Sequence, residues 1–126
     1  MDDMAGRISE SELEVMRVLW EAAGPLTITD IRRSLQQRKD WESTTIKTLV
    51  QRLCVKGAVE QVGCKPFLYR PLIGEQEYSR WATGDLIRRL YRGSARDLVA
   101  ALVSSDSLSD EDVEELRGFF KMEEGQ

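Results

Sequence analysis

Ser43-Thr44-Thr45-Ile46-Lys47-Thr48-Leu49-Val50-Gln51-Arg52-Leu53-Cys54-Val55-Lys56-Gly57 is the stretch on which the fold turns. Ile46, Leu49, Val50 and Leu53 recur at the spacing that stacks side chains on one face of an α-helix. Thr44, Thr45, Lys47, Thr48, Gln51, Arg52 and Lys56 lie largely off that stripe. Ser43 or Thr44 is a candidate N-cap, Gly57 supplies the left-handed residue that closes a helix, and Lys56 complements the carbonyl end. A threonine hydroxyl can meet a phosphate or a base edge and its methyl can meet thymine, while lysine and arginine serve phosphates or guanine acceptors. On a lone helix the same pattern also describes a solvated face, so the neighbouring elements decide between the two readings.

Upstream, Ser9 and Glu12 have the spacing of a capping box, and Leu13, Met16, Leu19 and Trp20 follow as a helical stripe that Gly24-Pro25 ends. Thr27 is the candidate cap of a second, short helix with Asp30 in its first turn and Ile28, Ile31 and Leu35 as its buried positions. The polar run Gln36 to Asp40 ends it, and Trp41 is expected to be the buried anchor of the turn into the third helix. Downstream, Val59 and Val62 precede the turn Gly63-Cys64-Lys65-Pro66, and Phe67, Tyr69 and Leu72 follow it, which predicts a small hairpin with its tip near Lys65. Three helices and a hairpin outline a winged helix-turn-helix. Thr44, Thr45, Lys47, Thr48 and Arg52 are then the candidate DNA-reading residues, with Lys65, and Arg70 on the returning strand, as candidate backbone contacts from the wing.

Beyond Ile73 the period is helical again. Tyr78, Trp81, Ala82, Leu86, Ile87, Leu90 and Tyr91 mark a long segment broken at Gly93, and Ala95, Leu98, Val99, Leu102 and Val103 mark a second. Ser109 caps a third, whose apolar face is Val113, Leu116, Phe119 and Phe120. Three short helices with this much apolar surface do not close a core alone, and a symmetric partner would complete it. The expected fold is therefore mainly α with a small β-hairpin wing: a winged helix-turn-helix DNA-binding domain over residues 1–73 and a helical dimerisation domain over 74–126, self-associating through Leu98, Leu102, Val113, Leu116, Phe119 and Phe120.

The net charge of −4 over 126 residues hides a segregation: residues 31–70 carry net +6, and residues 106–126 carry net −6. Screening beyond about 8 Å makes the local field the one a phosphate backbone meets, so an acidic tail does not oppose a basic reading face. The chain has no histidine, which excludes Ser-His-Asp and Cys-His catalysis and makes a structural zinc site unexpected. A carboxylate-only enzyme has no motif in its favour, and neither enzymatic activity nor a cofactor is expected. Cys54 and Cys64 fit no zinc or disulfide pattern; Cys54 reads as a small, partly buried filler and Cys64 as incidental, with a redox link between them as the sharper alternative. No apolar run reaches the roughly 18 residues of a membrane span and no targeting pattern precedes the first helix, so a cytoplasmic protein without membrane insertion is expected. The competing reading is a winged-helix protein-interaction module that does not bind DNA and docks through its acidic last helix.

The order and spacing of Ile8-Ser9-Glu10, Glu14-Val15-Met16, Leu19-Trp20, Lys39-Asp40-Trp41, Thr45-Ile46-Lys47-Thr48-Leu49, Arg52-Leu53, Lys56-Gly57, Tyr69, Tyr91-Arg92-Gly93, Leu108-Ser109 and Glu114-Glu115-Leu116-Arg117 resemble the BlaI/MecI/CopY family of bacterial repressors. The resemblance runs from Ile8 to Lys121. It implies a homodimer that occupies a double-stranded inverted-repeat operator, typically with TACA/TGTA half-sites, and blocks transcription, in one branch of antibiotic-resistance genes. In that branch the signal is a regulatory protease cutting after the Gly93 break, and the family's Asn-Phe scissile pair falls on Ala101-Leu102 here. In the copper branch paired cysteine motifs near the C-terminus read the signal, and no cysteine follows Cys64.

Overall fold

A computed structural model describes the chain from Ile8 to Glu124. The element order is α1 (Glu10–Glu21), α2 (Ile28–Leu35), α3 (Ser43–Val55), β1 (Val59–Val62), β2 (Leu68–Pro71), α4 (Glu75–Tyr91), α5 (Ala95–Ser104) and α6 (Asp110–Glu124). The fold class is the expected one, mostly helical with an antiparallel hairpin.

The helix starts follow from their caps. Ser9 Oγ accepts the Glu12 amide at 3.1 Å while Glu12 Oε1 accepts the Ser9 amide at 2.9 Å, closing the capping box of α1. Thr27 and Asp30 repeat it on α2 with bonds of 3.0 and 3.2 Å. These bonds, led by the one from the Thr27 amide, hold the Asp30 carboxyl below its ordinary range. Helix α3 begins differently from expectation: its N-cap is Glu42, which makes no side-chain capping bond, and neither Ser43 nor Thr44 caps it. Glu42 lies instead 3.6 Å from the Arg32 guanidinium, whose Nε donates to the Trp41 carbonyl at 3.1 Å. Trp41 is half-buried rather than buried; it packs against the core, with Lys39 Nζ 6.0 Å from the ring centroid.

At its other end α3 closes as the sequence predicts. Gly57 takes φ +81°, its amide donates to the Cys54 carbonyl at 3.1 Å, and the Ala58 amide donates to the Leu53 carbonyl at 3.0 Å. This is the pair of bonds of a Schellman motif, and it delivers the chain directly into β1.

The core consists of Val15, Met16, Val18 and Leu19 from α1, Ile31 and Leu35 from α2, Ile46, Leu49, Val50 and Leu53 from α3, then Ala58, Val59 and Tyr69. Helix α1 packs against α2, α3 and β2, so its buried face is wider than a single stripe: Val15 and Val18 are inside, and Leu13 and Trp20 are only half-buried. The hairpin pairs Val59 with Pro71 through Val62 with Leu68. On the far edge of β2, Leu26 and Tyr69 exchange both backbone bonds, at 2.8 and 3.0 Å, which tethers the wing to the α1–α2 connection.

The chain divides into two compact units, one ending at Ala82 and the other beginning at Thr83. The division falls inside α4 rather than at Ile73 because the first turns of α4 belong to the winged unit. Trp20 Nε1 donates to the Ile73 carbonyl at 2.9 Å, and the Trp20, Tyr78 and Trp81 rings follow at centroid spacings of 6.0 and 6.5 Å. In the second unit Gly93 breaks α4 from α5 with φ +87°, and Ser109 and Asp112 form a reciprocal cap on α6. No described side chain after Tyr69 is buried. No helix among the described residues is long and apolar enough to cross a membrane.

Gly57→Ala should cost about 1–2 kcal/mol, since a Cβ there meets no atom and only the left-handed backbone opposes it. A urea unfolding midpoint equal to that of the wild type would show that the αL closure of α3 contributes nothing.

Candidate nucleic-acid interface

The surface of α3 divides by angle. At roughly 100° per residue, Leu49, Leu53, Ile46 and Val50 occupy one contiguous arc, and all four are buried. The opposite arc is centred on Thr44, Thr48, Gln51 and Val55, with Lys47 on one flank and Thr45 and Arg52 on the other, and all of these are exposed. The five α3 residues read from the sequence as a DNA face therefore stand together on the solvent side, because four apolar neighbours are committed to the interior.

Two depressions border this face. The first, of about 310 Å³, is a notch between the start of α2, the N-terminal half of α3 and the wing, lined by Thr27, Ile28, Thr44, Lys47, Pro66 and Phe67. The second, of about 290 Å³, lies along the C-terminal half of α3 among Thr48, Gln51, Arg52, Val55 and Lys56. Thr48 Oγ1 donates to the Thr44 carbonyl at 3.0 Å, so its hydrogen is used within the helix, while its methyl and its accepting lone pairs remain available.

The wing's cations separate. Lys65 sits exposed in the tip turn. Arg70 faces Glu60 across the hairpin at 3.2 Å, in register, and both side chains remain on the surface of the wing. Lys56 departs from the polar face: its ammonium reaches Glu12 on α1.

Three residues at the site lie outside the set that the sequence singles out. Gln51 stands off the apolar stripe in the sequence but outside the candidate DNA-reading set, and Val55 could have been found from the helical angle alone. Val55, 81% exposed, is an apolar side chain in the middle of a polar face. Phe67 has no local signal; its alternation with Tyr69 predicts an inward strand residue, yet β2 begins at Leu68 and Phe67 is exposed beside the notch. The cysteines are both free, Cys54 half-buried and Cys64 exposed, and burial pushes the Cys54 thiol up. Among the described residues no group of three or more histidine, cysteine or carboxylate side chains could hold a metal ion.

Of the residues expected to pair two copies, Leu98, Val113 and Leu116 are half-buried, and Leu102, Phe119 and Phe120 are exposed on α5 and α6. Ala101-Leu102 lies within α5.

Residues 8–121 match the family model described as penicillinase repressor. The methicillin resistance regulatory protein MecI of Staphylococcus aureus strain N315 is 33% identical over 118 residues, covering 93% of this chain and 95% of that protein. The penicillinase repressor of Bacillus licheniformis is 32% identical over 111 residues, covering 87% and 86%. Among solved structures, the DNA binding domain of the repressor BlaI in solution aligns with a TM-score of 0.53 at 33% identity, over 62% of this chain and 94% of that one. The match to the family model takes in the capped α1, the two-faced α3, the wing and the tail helices alike, and on that extent the chain belongs to the penicillinase repressor family.

Proposed function

We propose that this chain is a transcriptional repressor that binds an inverted-repeat operator as a homodimer, with α3 of each copy in a major groove. The observation that carries the reading is the exposed arc of α3, where hydroxyl, amide and cationic side chains stand opposite a fully buried apolar arc. Of the relatives named above, one is called a regulatory protein and one a repressor, and the matching structure is the DNA binding domain of a repressor. Thr44, Thr45, Thr48 and Gln51 would face base edges or phosphates, with Lys47 and Arg52 as flanking cations. The notch would seat one strand's backbone, with Lys47 toward a phosphate, Phe67 and Pro66 against deoxyribose, and Lys65 at the neighbouring phosphates. Repression then follows by occupancy, two α3 helices entering successive grooves about 34 Å apart.

The second unit supports dimerisation. It contains no buried side chain among its described residues, while Phe119 and Phe120 are each more than 60% exposed. A unit without an interior of its own gains one by pairing. Proteolytic relief at Ala101-Leu102 would need α5 to open first, because a protease takes an extended segment.

Three measurements test the reading. In mobility-shift titrations on a duplex carrying TACA/TGTA inverted half-sites, Lys47→Ala and Arg52→Ala should each weaken binding and lower the salt slope by about one for each phosphate no longer neutralised. Wild-type protein that leaves this duplex unshifted even at low salt would favour the interaction-module reading. Phe67→Ala should weaken binding about three- to tenfold with the salt slope unchanged, as expected when the apolar surface that deoxyribose covers is lost and no charge is removed. Phe119→Asp should sediment as a monomer and bind the operator about 100-fold or more weakly, because half-sites are then bound singly; an intact dimer would remove α6 from the association surface.

A further inference from the structure

Glu12 is the one charged side chain that is buried among the described residues, 2% exposed. It closes the capping box of α1 through Oε1, and the same oxygen accepts from the Lys56 ammonium, 44 positions along the chain. Lys56 is the C-cap residue of α3, one position beyond the last helical residue, Val55. A bond that joins the first turn of α1 to the last turn of α3 ties the far end of the proposed reading helix to a fixed point in the core.

We propose that Glu12 and Lys56 are positioning residues that refine the rotation of α3 about its own axis, which the buried arc sets coarsely, and so fix the register of its exposed face on DNA. This rests on the reading of α3 as the DNA-facing helix. The two ends of α3 are held in different ways. At the N-terminus the chain is held through Arg32, which bonds the Trp41 carbonyl and approaches Glu42. At the C-terminus the Schellman bonds fix where the helix stops, the buried arc sets which side faces the core, and the Lys56–Glu12 bond is the side-chain tie added to them. Lys56 leaves α3 on the flank next to Arg52 and bends back to α1, where its ammonium is held on the buried Glu12 carboxylate, so rotation of the last turn strains a held side chain, whereas the exposed Lys47 and Arg52 are free to follow. A rotation of about 20° moves an atom some 5 Å from a helix axis by about 1.7 Å, enough to break a hydrogen bond to a base edge. Contacts to phosphates through long, flexible Lys47 and Arg52 tolerate that displacement far better. Removing the tether should therefore reduce discrimination between sequences more than it reduces general affinity for DNA.

The test compares wild type, Glu12→Gln, Lys56→Gln and the double variant on the TACA/TGTA inverted-repeat duplex and on a scrambled duplex of equal length. Titrations run over a salt series at a temperature where circular dichroism shows every variant folded. Each single variant should lower the ratio of specific to non-specific affinity about tenfold, the scale of one base contact. The scrambled-duplex affinity and the salt slope should stay as in wild type, and the double variant should be no worse than either single one. A purely structural role would lower the melting temperature and leave the ratio intact, which would overturn the inference. A salt slope reduced by about one in Lys56→Gln alone would also overturn it, since Lys56 would then be a phosphate contact. Should Glu12→Gln fail to fold, Lys56→Gln decides by the same readouts. Wild-type protein that does not distinguish the two duplexes overturns the DNA reading itself; discrimination by wild type that Lys56→Gln and Glu12→Gln retain overturns only the positioning role.

Discussion

Burial of Ile46, Leu49, Val50 and Leu53 against α1 and α2 organises the winged unit. An amphipathic helix cannot satisfy its apolar arc without committing the opposite arc to solvent, so packing the core and presenting Thr44, Thr48, Gln51 and their neighbours are one event. At about 25 cal/mol per Å² of apolar surface removed from water, each of these side chains contributes roughly 1.5–3 kcal/mol, enough to fix which way the helix faces. The polar face adds little to stability and is free to be shaped by what it touches.

Around this helix the winged unit is built from connections that hold each end of a segment. The reciprocal caps on α1 and α2 start them at defined residues, and the αL residue Gly57 sends the chain from α3 into β1 without a loose loop. The Leu26–Tyr69 bridge then ties the returning strand to the α1–α2 connection, which brings Pro66 and Phe67 beside Lys47. The wing is thus part of the sheet rather than a flap on it.

The second unit follows a different logic. Its helices are well started, at Ser94 and at Ser109, yet Leu90, Val103, Phe119 and Phe120 stay exposed. Local capping gives helices, but only apolar partners give an interior, and this unit's described residues do not supply enough of them to one another. Its acidic charge, net −6 over residues 106–126, is set apart along the sequence from the basic segment that holds α3, so screening lets the two fields act locally.

Helix periods, caps and the charge segregation were legible in the sequence because each depends on neighbours within one or two turns. Ser9–Glu12, Thr27 and Gly57 could be placed from spacing alone, and so could the inward and outward arcs of α3. Other features depend on residues far apart along the chain that meet only after folding. The reach of Lys56 to Glu12, the bond from Trp20 to Ile73 that draws the start of α4 into the first unit, and the exposure of Phe67 beside Thr27 and Lys47 are of this kind. Which faces are apolar, and where most helices begin and end, follow from the order of residues alone, since backbone bonding and side-chain period are local. Which cations pair within the fold follows only from the packed chain: Lys56 reaches the buried Glu12 and Arg70 pairs with Glu60 on the surface of the wing, while Lys47, Arg52 and Lys65 are exposed, because long side chains go to the nearest charge the fold supplies.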